Sequence, residues 1–269
     1  MKGNYAVRKA IMIGVMCSLS YLAVYVARNV LGAVSPQMIE GGRFTTESIG
    51  TLSSVYFITY AFGQLINGMV GDKIKAKYMI SFGLMFSGLC NYLFSVVPAD
   101  GILPYLVYGA TGIGLSMIYA PMTKVVAENT EPIYATRCSL GYTFASYFGS
   151  PLAGVLAAAL TWPLVFLSSS VMLVSMGLVC FVVFSIFEKK GIVKYNQYDR
   201  PKEAKEGSIR ILIRHRIIRF TLIAIITGVV RTTVVFWMTT YFNEFLGYSA
   251  DQATSMLYSG GLHIYTTQD

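Results

Sequence analysis

Charged residues are scarce in this chain of 269 residues, and acidic residues are the scarcer kind. Only 13% of the residues are charged, whereas 55% are hydrophobic, and the mean hydropathy is +0.58. The apolar residues lie in blocks that reach the ~20 residues needed to span a bilayer. This pattern excludes a soluble globular domain and predicts an all-α membrane protein.

Cysteine and histidine are too few to build the sites that they usually build. The four cysteines lie within or at the edge of apolar blocks, and their spacing is typical of neither a disulfide framework nor a metal site: Cys17, Cys90, Cys138 and Cys180. We interpret them as small packing residues. The two histidines are isolated, and no nucleophile–base pair or phosphate-binding glycine loop is found, so we expect no metal, no cofactor and no enzyme.

The basic residues are distributed as the positive-inside rule describes. Of the 21 Lys and Arg residues, 18 lie at the N-terminus, in alternate loops and in one long central loop; the others are Arg28, Arg43 and Arg231. This asymmetry predicts that the N-terminus and the central loop face the cytoplasm. The net charge of +8 therefore indicates topology, and we expect no nucleic acid as a partner.

The apolar blocks predict seven membrane spans. They cover approximately residues 10–34, 46–70, 78–97, 102–126, 138–160, 164–187 and 220–242. The first is expected to end at Pro36, and Thr45 or Thr46 is expected to start the second. After Ser249 too few apolar residues follow for an eighth span, which needs at least ~17. We therefore expect a truncated or frameshifted reading frame.

These spans divide the chain into three parts. Residues 1–187 form an N-terminal half of six spans, 188–219 a basic cytoplasmic loop, and 220–269 the start of a second half. Within the loop, residues 208–219 are compatible with a basic helix on the membrane surface. The alternative is a solvated tether.

The two halves begin alike, which indicates an internal repeat. Thr45 follows Arg28 by 17 residues, and Ser249, which forms a capping box with Gln252, follows Arg231 by 18. Each half therefore begins with a helix that carries an arginine at the same depth. Parallel halves with a site at their interface are typical of one large class of secondary transporters.

The two intramembrane arginines are the strongest indication of function. An arginine in mid-span costs at least ~2.5–3.5 kcal/mol on insertion scales. Pairing with a buried acid would offset that cost, but all 13 Asp and Glu residues lie in loops or at span ends. A guanidinium matches phosphate or carboxylate oxygens, and two of them suit a doubly charged anion. The lack of mid-span acids also favours exchange of anions over proton symport.

Tyrosines near the first arginine are candidate ligands. Tyr21 and Tyr25 share the helical face of Arg28 and offer hydroxyl donors, although packing is the alternative role. Tyr60 and Gln64 are the polar members of a similar stripe in span two.

The turn after span two contains a second motif with a predicted function. Gly68 permits close packing, Asp72 is placed to cap a neighbouring helix, and Lys73 and Lys77 anchor at the membrane surface. We expect this turn to hold the inner side closed in one conformational state and to release it in another.

These motifs resemble those of a known family. Gly68-x3-Asp72-Lys73-x3-Lys77 resembles the signature loop of the major facilitator superfamily. Tyr21-x3-Tyr25-x2-Arg28-Asn29 resembles the first helix of its organophosphate:phosphate antiporters. Residues 117–124, which include Tyr119, resemble the fourth helix, and Arg231-x5-Trp237-x3-Tyr241 resembles the seventh.

The resemblance implies a twelve-helix major facilitator fold, of which this chain would hold the N-terminal six-helix bundle, helix seven and part of helix eight. It also implies phosphate held between the paired arginines, and a monomer in the bacterial plasma membrane among membrane lipids. The implied ligands are inorganic phosphate and a small organic phosphate or another organic anion. Ser146, Tyr119, Trp237 and Tyr241 would join the site.

Two departures leave the substrate open. Gln64 stands where relatives often have a lysine, and the region of Ser146 stands where the glycerol phosphate carriers have a histidine. A membrane sensor of sugar phosphates on the same fold and an inactive truncated fragment are the alternatives to a carrier.

Overall fold

Ten helices make up the regular structure of residues 2–71, 73–195 and 217–258, which are the residues that the computed structural model describes. In chain order they are α1 Lys2–Glu40, α2 Thr46–Val70, α3 Ala76–Val96, α4 Leu103–Ser116, α5 Tyr119–Asn129, α6 Pro132–Tyr147, α7 Gly149–Ala159, α8 Trp162–Lys189, α9 Ile217–Glu244 and α10 Ala250–Tyr258. Within the described ranges, six segments are long and apolar enough to cross a membrane: α1, α2, α3, α4 with α5, α8 and α9. The chain is therefore a multi-pass, all-α integral membrane protein, as predicted.

The first helix is longer than the sequence predicts. It continues through Pro36 to Glu40, so the prediction that it ends at Pro36 is wrong. Proline lacks the N–H that would bond to the carbonyl four residues earlier, which is that of Gly32. That carbonyl instead accepts a hydrogen bond of 2.6 Å from Thr239 Oγ1 of α9. A partner from a neighbouring helix thus satisfies the group that the proline frees.

Two predicted spans are interrupted. The fourth is divided between α4 and α5, and the fifth between α6 and α7, with Phe148 alone between them. The predicted continuous helix over residues 138–160 is corrected accordingly, and α6 already begins at Pro132, a residue suited to a first helical turn. Helix α1 begins at Lys2 and not near residue 10, whereas the remaining bounds agree with the prediction within three residues. Thr45 caps α2 by accepting a hydrogen bond of 3.2 Å from the N–H of Ser48.

The helices pack in pairs, with α3 along α8, α2 along α4, and α1 against α6 and α7. Small residues allow the backbones to come close. A Cβ atom added at Gly88 would lie 2.7 Å from the Val174 side chain, and one at Gly177 would lie 2.7 Å from Met85. Asn91 Nδ2 of α3 donates to Ser169 Oγ of α8 at 3.0 Å, which satisfies both buried groups.

Polar contacts join the first part of the chain to α9 and α10 where α1 ends. The Glu40 carboxylate accepts hydrogen bonds from Asn243 Nδ2 at 2.9 Å and from the N–H of Ala250 at 3.2 Å. Thr46 Oγ1 donates to the Glu244 carboxylate at 2.6 Å. These bonds fix the start of α10 against the end of α1.

The predicted capping box of α10 is confirmed. The N–H of Gln252 donates to Ser249 Oγ at 3.3 Å, and the N–H of Ser249 donates to Gln252 Oε1 at 3.1 Å. Helices α8 and α9 extend two or three residues into the predicted 188–219 loop. Residues 208–216 of the predicted surface helix lie outside the described residues, and the division into two halves stays a prediction.

Candidate functional site

Both intramembrane arginines line one cavity of about 440 Å³ between α1, α2, α6, α7 and α9. Arg28 enters it from α1 and Arg231 from α9. The predicted site residues Tyr25 and Ser146 also line this cavity. The structure therefore brings together the two arginines that the sequence places 203 residues apart.

Aromatic rings surround the Arg28 guanidinium. Its Cζ atom lies 5.5 Å from the ring centre of Tyr25, 5.2 Å from that of Phe57 and 5.3 Å from that of Tyr60. The negative face of an aromatic ring attracts a cation, so these rings hold the charge without neutralising it. The guanidinium keeps its full positive charge for a ligand.

Among the described residues, one aromatic ring contacts Arg231, whereas three contact Arg28. The Cζ atom of Arg231 lies 4.7 Å from the ring centre of Tyr147. Within the part of the chain that the structure describes, no carboxylate lies within 4.0 Å of Arg231 or Arg28. The described acidic residues lie at helix ends or in turns, as the sequence indicates. Both cations therefore face the cavity without an anionic partner from the described part of the chain.

The interruption between α6 and α7 shapes one wall of the cavity. Gly149 begins α7 against α1, where an added Cβ atom would lie 2.5 Å from Tyr25 Cβ and 2.7 Å from the Tyr25 carbonyl carbon. Only a residue without a side chain allows this approach. The close contact places the preceding Ser146 and Tyr147 and the following Ser150 in the cavity wall.

Two polar side chains near the arginines already donate hydrogen bonds to backbone carbonyls. Asn29 Nδ2 donates to the Tyr25 carbonyl at 2.7 Å, and Ser146 Oγ donates to the Thr143 carbonyl at 2.6 Å. Asn29 Oδ1 and Ser146 Oγ thus present acceptors to the cavity. For Ser146 to donate to an anion, its hydroxyl must rotate away from α6. The arginines are the principal donors of the site.

Three further predicted residues lie beside this cavity. The Tyr21 ring contacts the rings of Tyr25 at 4.9 Å and Tyr119 at 5.6 Å between centroids, and Tyr142 closes the same cluster. Gln64 Nε2 donates to the Tyr60 hydroxyl at 2.7 Å. Tyr21 and Tyr119 therefore support the rings around Arg28, and Gln64 orients Tyr60.

The two aromatic residues predicted from α9 lie elsewhere. Trp237 packs toward α2, where an added Cβ atom at Gly50 would lie 3.5 Å from its ring. Tyr241 stacks on Phe245 with 5.5 Å between ring centroids and is 52% exposed. Neither is among the described residues that line the arginine cavity. Their predicted role in the site stays untested.

The turn between α2 and α3 carries an ion-pair cluster. Lys77 Nζ lies 2.5 Å and Lys75 Nζ 2.6 Å from the Glu188 carboxylate at the end of α8. Gly68 lines a separate pocket with Lys124, and Lys73 is exposed. The predicted close packing at Gly68 is wrong, since an added Cβ atom there would meet no described atom within 4 Å. Asp72 lies outside the described residues, and the predicted gating role of the turn stays untested.

Two cavity residues whose rings contact the arginines, Phe57 and Tyr147, were missed by the sequence reasoning. Phe57 precedes Tyr60 by three residues and therefore shares its helical face, which is a signal that the aromatic stripe of span two contained. Tyr147 gave no such signal, because its direction depends on the interruption at Phe148. Its neighbour Ser146 was the closest indication.

Comparisons with known proteins agree with this architecture. The sequence profile of the Major Facilitator Superfamily matches residues 17–265. A solved bacterial homologue of the human lysosomal transporter Spinster, in an inward-facing and unoccupied conformation, matches with a TM-score of 0.70 at 14% identity. The match covers 92% of this chain and 58% of that structure, and it shows the major facilitator fold.

Similar sequences include both transporters and a sensor. The glycerol-3-phosphate transporter of Bacillus subtilis is 23% identical over 268 residues, covering 91% of this chain and 60% of the transporter. The membrane sensor protein UhpC of Salmonella typhimurium is 33% identical over 76 residues, 28% of this chain and 17% of the sensor. A probable hexose phosphate transport protein of Chlamydia pneumoniae is 24% identical over 78 residues, 29% of this chain and 17% of that protein.

These matches extend over different lengths, and this chain spans 60% of the length of the Bacillus subtilis transporter. The family profile nevertheless covers most of the chain, and the structural match covers the same helices. The predicted fold is confirmed on both grounds. The chain belongs to the major facilitator superfamily.

Proposed function

We propose that this protein carries phosphorylated organic anions across a membrane and exchanges them for inorganic phosphate by alternating access. The single observation that carries the proposal is the shared cavity of Arg28 and Arg231. Two guanidinium groups that have no carboxylate within 4.0 Å among the described residues would form a site for a doubly charged oxyanion, since each presents a planar pair of N–H donors.

The relatives support the class of substrate. A glycerol-3-phosphate transporter and a probable hexose phosphate transport protein are among them, and both names specify a phosphate ester. A phosphate group common to these ligands would bind between the arginines. The organic part would then contact the aromatic and hydroxyl groups around them, which leaves the identity of the sugar or polyol to those residues.

The distribution of acidic residues supports anion exchange, and that of basic residues supports an orientation in the membrane. Among the described residues, acidic side chains lie at helix ends or in turns, so the centre of the bundle offers no carboxylate for proton coupling. Exchange of one anion for another needs none. The 18 basic residues outside Arg28, Arg43 and Arg231 favour an orientation with the N-terminus and central loop in the cytoplasm. The bacterial relatives favour a bacterial plasma membrane.

Phosphate binding to the purified protein tests the proposal. We expect Arg28→Lys and Arg231→Lys each to weaken phosphate binding by roughly tenfold or more, because a charge-assisted hydrogen bond contributes about 1.5–3 kcal/mol. Isothermal titration calorimetry measures this loss, and phosphate exchange in proteoliposomes should be abolished in both variants.

The matched control is the same arginine-to-lysine substitution at a position outside the cavity. Arg43 lies over the Trp162 ring at 4.7 Å and donates to the Val97 carbonyl, away from the cavity. Arg43→Lys should leave phosphate binding unchanged. Wild-type binding and exchange in either cavity variant would overturn the two-arginine site.

A sugar-phosphate sensor is the second candidate. The observation that favours it is the 33% identity to the sensor UhpC, which exceeds the 23% to the glycerol-3-phosphate transporter, although over a shorter segment. A sensor would bind hexose phosphate in the same cavity without exchanging it. Binding by calorimetry together with no exchange in proteoliposomes would select the sensor.

A further inference from the structure

A second concave site lies on the outside of the bundle, away from the arginine cavity. An apolar groove of about 500 Å³ runs between α2, α3 and α8, beside the α2–α3 turn. Its walls include Val70, Ile74, Tyr78, Phe82, Met85 and Phe181. None of these described residues lines the arginine cavity. The groove is therefore independent of the proposed substrate site.

The groove opens toward the surroundings of the helices. Tyr78, Phe82, Met85 and Phe181 are large apolar side chains that remain exposed in the structure. An exposed apolar groove on membrane-spanning helices is suited to an acyl chain. Its end at the α2–α3 turn lies where the helices leave the membrane, so a headgroup would be placed beside that turn.

Positive charge lies directly at that end of the groove. Lys77 Nζ lies 5.0 Å from the ring centre of Tyr78 and 6.0 Å from that of Phe181, and both rings belong to the groove. The Lys77 side chain is only 10% exposed, so its ammonium group is held against the groove wall. A charge fixed beside an apolar groove selects a ligand that has both an acyl chain and an anionic head.

The internal carboxylate does not balance this charge. Lys75 and Lys77 share the single carboxylate of Glu188, which leaves one positive charge in excess. In the sequence, residues 71–77 and 188–195 together hold six lysines and two acids, Asp72 and Glu188. Basic residues at a membrane surface attract anionic lipids. The charge therefore favours an anionic over a zwitterionic headgroup.

We propose that this groove binds one anionic phospholipid. Its acyl chain lies along Tyr78, Phe82 and Phe181, and its phosphate is paired with Lys75 and Lys77. Glu188 competes with the lipid phosphate for the same two ammonium groups. The proposal does not depend on the substrate or on the direction of transport.

Native mass spectrometry of the purified protein measures the lipid affinity. The probes are phosphatidylglycerol and phosphatidylcholine with identical acyl chains. We expect the Lys75→Gln/Lys77→Gln variant to bind phosphatidylglycerol about tenfold more weakly than the wild type, since each lysine near an anionic surface contributes to attraction. Phosphatidylcholine binding should be weak and equal in both proteins.

A matched control and an opposite variant make the result specific. Lys189→Gln/Lys190→Gln removes the same charge at the end of α8 without touching the groove lining, and it should retain phosphatidylglycerol binding. Glu188→Gln removes the competitor and should strengthen that binding, whereas a merely structural ion pair predicts no gain. Equal loss in the control pair, or weaker binding in Glu188→Gln, would overturn the proposal.

The position of the acyl chain has its own test. Phosphatidylglycerol with a photoreactive diazirine in the chain should label the peptides that contain Phe82 and Phe181, and it should do so more than the corresponding phosphatidylcholine. Labelling confined to other helices, or equal labelling by the two lipids, would show that the groove has no such ligand.

Discussion

Two pairs of cationic side chains in this molecule have opposite surroundings. Arg28 and Arg231 face a cavity, contact aromatic rings and have no carboxylate within 4.0 Å among the described residues. Lys75 and Lys77 lie at a helix turn and share the Glu188 carboxylate. A cation held by rings keeps its whole charge for a ligand, whereas two cations that share one carboxylate keep only the excess of one charge.

The difference teaches how much of each charge is available to a ligand. Both pairs would count as conspicuous from sequence alone, and arginine fits the interior because its guanidinium is less strongly hydrated than an ammonium. The surroundings decide how strongly each pair is able to attract an anion. Substitutions around each pair therefore test whether the comparison holds.

The largest effect is expected at Gly149, which brings α7 against α1 beside Arg28. Gly149→Ala would place a methyl group 2.5 Å from Tyr25 Cβ and 2.7 Å from the Tyr25 carbonyl carbon, so α1 or α7 must move. We expect a loss of stability of about 1–3 kcal/mol, together with weaker phosphate binding. Thermal unfolding in detergent and calorimetry measure both effects.

Gly141→Ala is the matched control, because Gly141 of α6 also lies against α1. Its added methyl group would lie 3.3 Å from Ser18 Oγ, a side-chain atom that is able to shift. This variant should remain stable and bind phosphate. If Gly149→Ala behaves in the same way, the helix interruption does not shape the arginine site.

A smaller effect is expected from the ring that faces Arg231. Tyr147→Leu removes the aromatic face 4.7 Å from the guanidinium carbon and should weaken phosphate binding by roughly 2- to 30-fold, since a cation–π contact contributes about 0.5–2 kcal/mol. Tyr147→Phe keeps the ring and should bind almost as well as the wild type. Equal binding by the Leu and Phe variants would show that the ring does not hold Arg231.

The smallest effect is expected at the lysine cluster. The hydrogen bond to Glu188 and the charge of that carboxylate raise the pKa of Lys75. The stabilisation from this pair is therefore fully present at neutral pH and is lost only as the pH rises through the raised pKa. Because the pair is partly exposed, Lys75→Gln in detergent without added lipid should lower the thermal midpoint by no more than about 2 °C at pH 7. A drop as large as that of Gly149→Ala would contradict the comparison.

The sequence predicted the parts of the fold that depend on composition and local signals. The length of the apolar blocks predicted an all-α membrane protein. Thr45 predicted the start of α2, and the Ser249–Gln252 capping box predicted the start of α10; the structure confirms both. The shared position of Arg28 and Arg231 in one cavity followed from the internal repeat. Each of these features is encoded within a few residues or in a repeated pattern.

The features that the sequence did not predict depend on contacts between distant segments. Pro36 looks like a helix end until Thr239, from α9, is known to bond to the Gly32 carbonyl. Tyr147 turns toward Arg231 because α6 ends at that residue, and Trp237 turns toward Gly50 of α2. Helical periodicity tells which residues share a face of one helix. It does not tell where a side chain points when the helix is interrupted, as it is at Phe148.

The bond from Thr239 to the Gly32 carbonyl also has a consequence for how the protein is built. The donor and acceptor lie 207 residues apart, so α1 enters the membrane long before α9 is synthesised. Until then the carbonyl freed by Pro36 lacks this partner, and a buried unsatisfied carbonyl is costly. We therefore expect the end of α1 to reach its final conformation only when α9 arrives, which would make the docking of these two helices a late step of assembly.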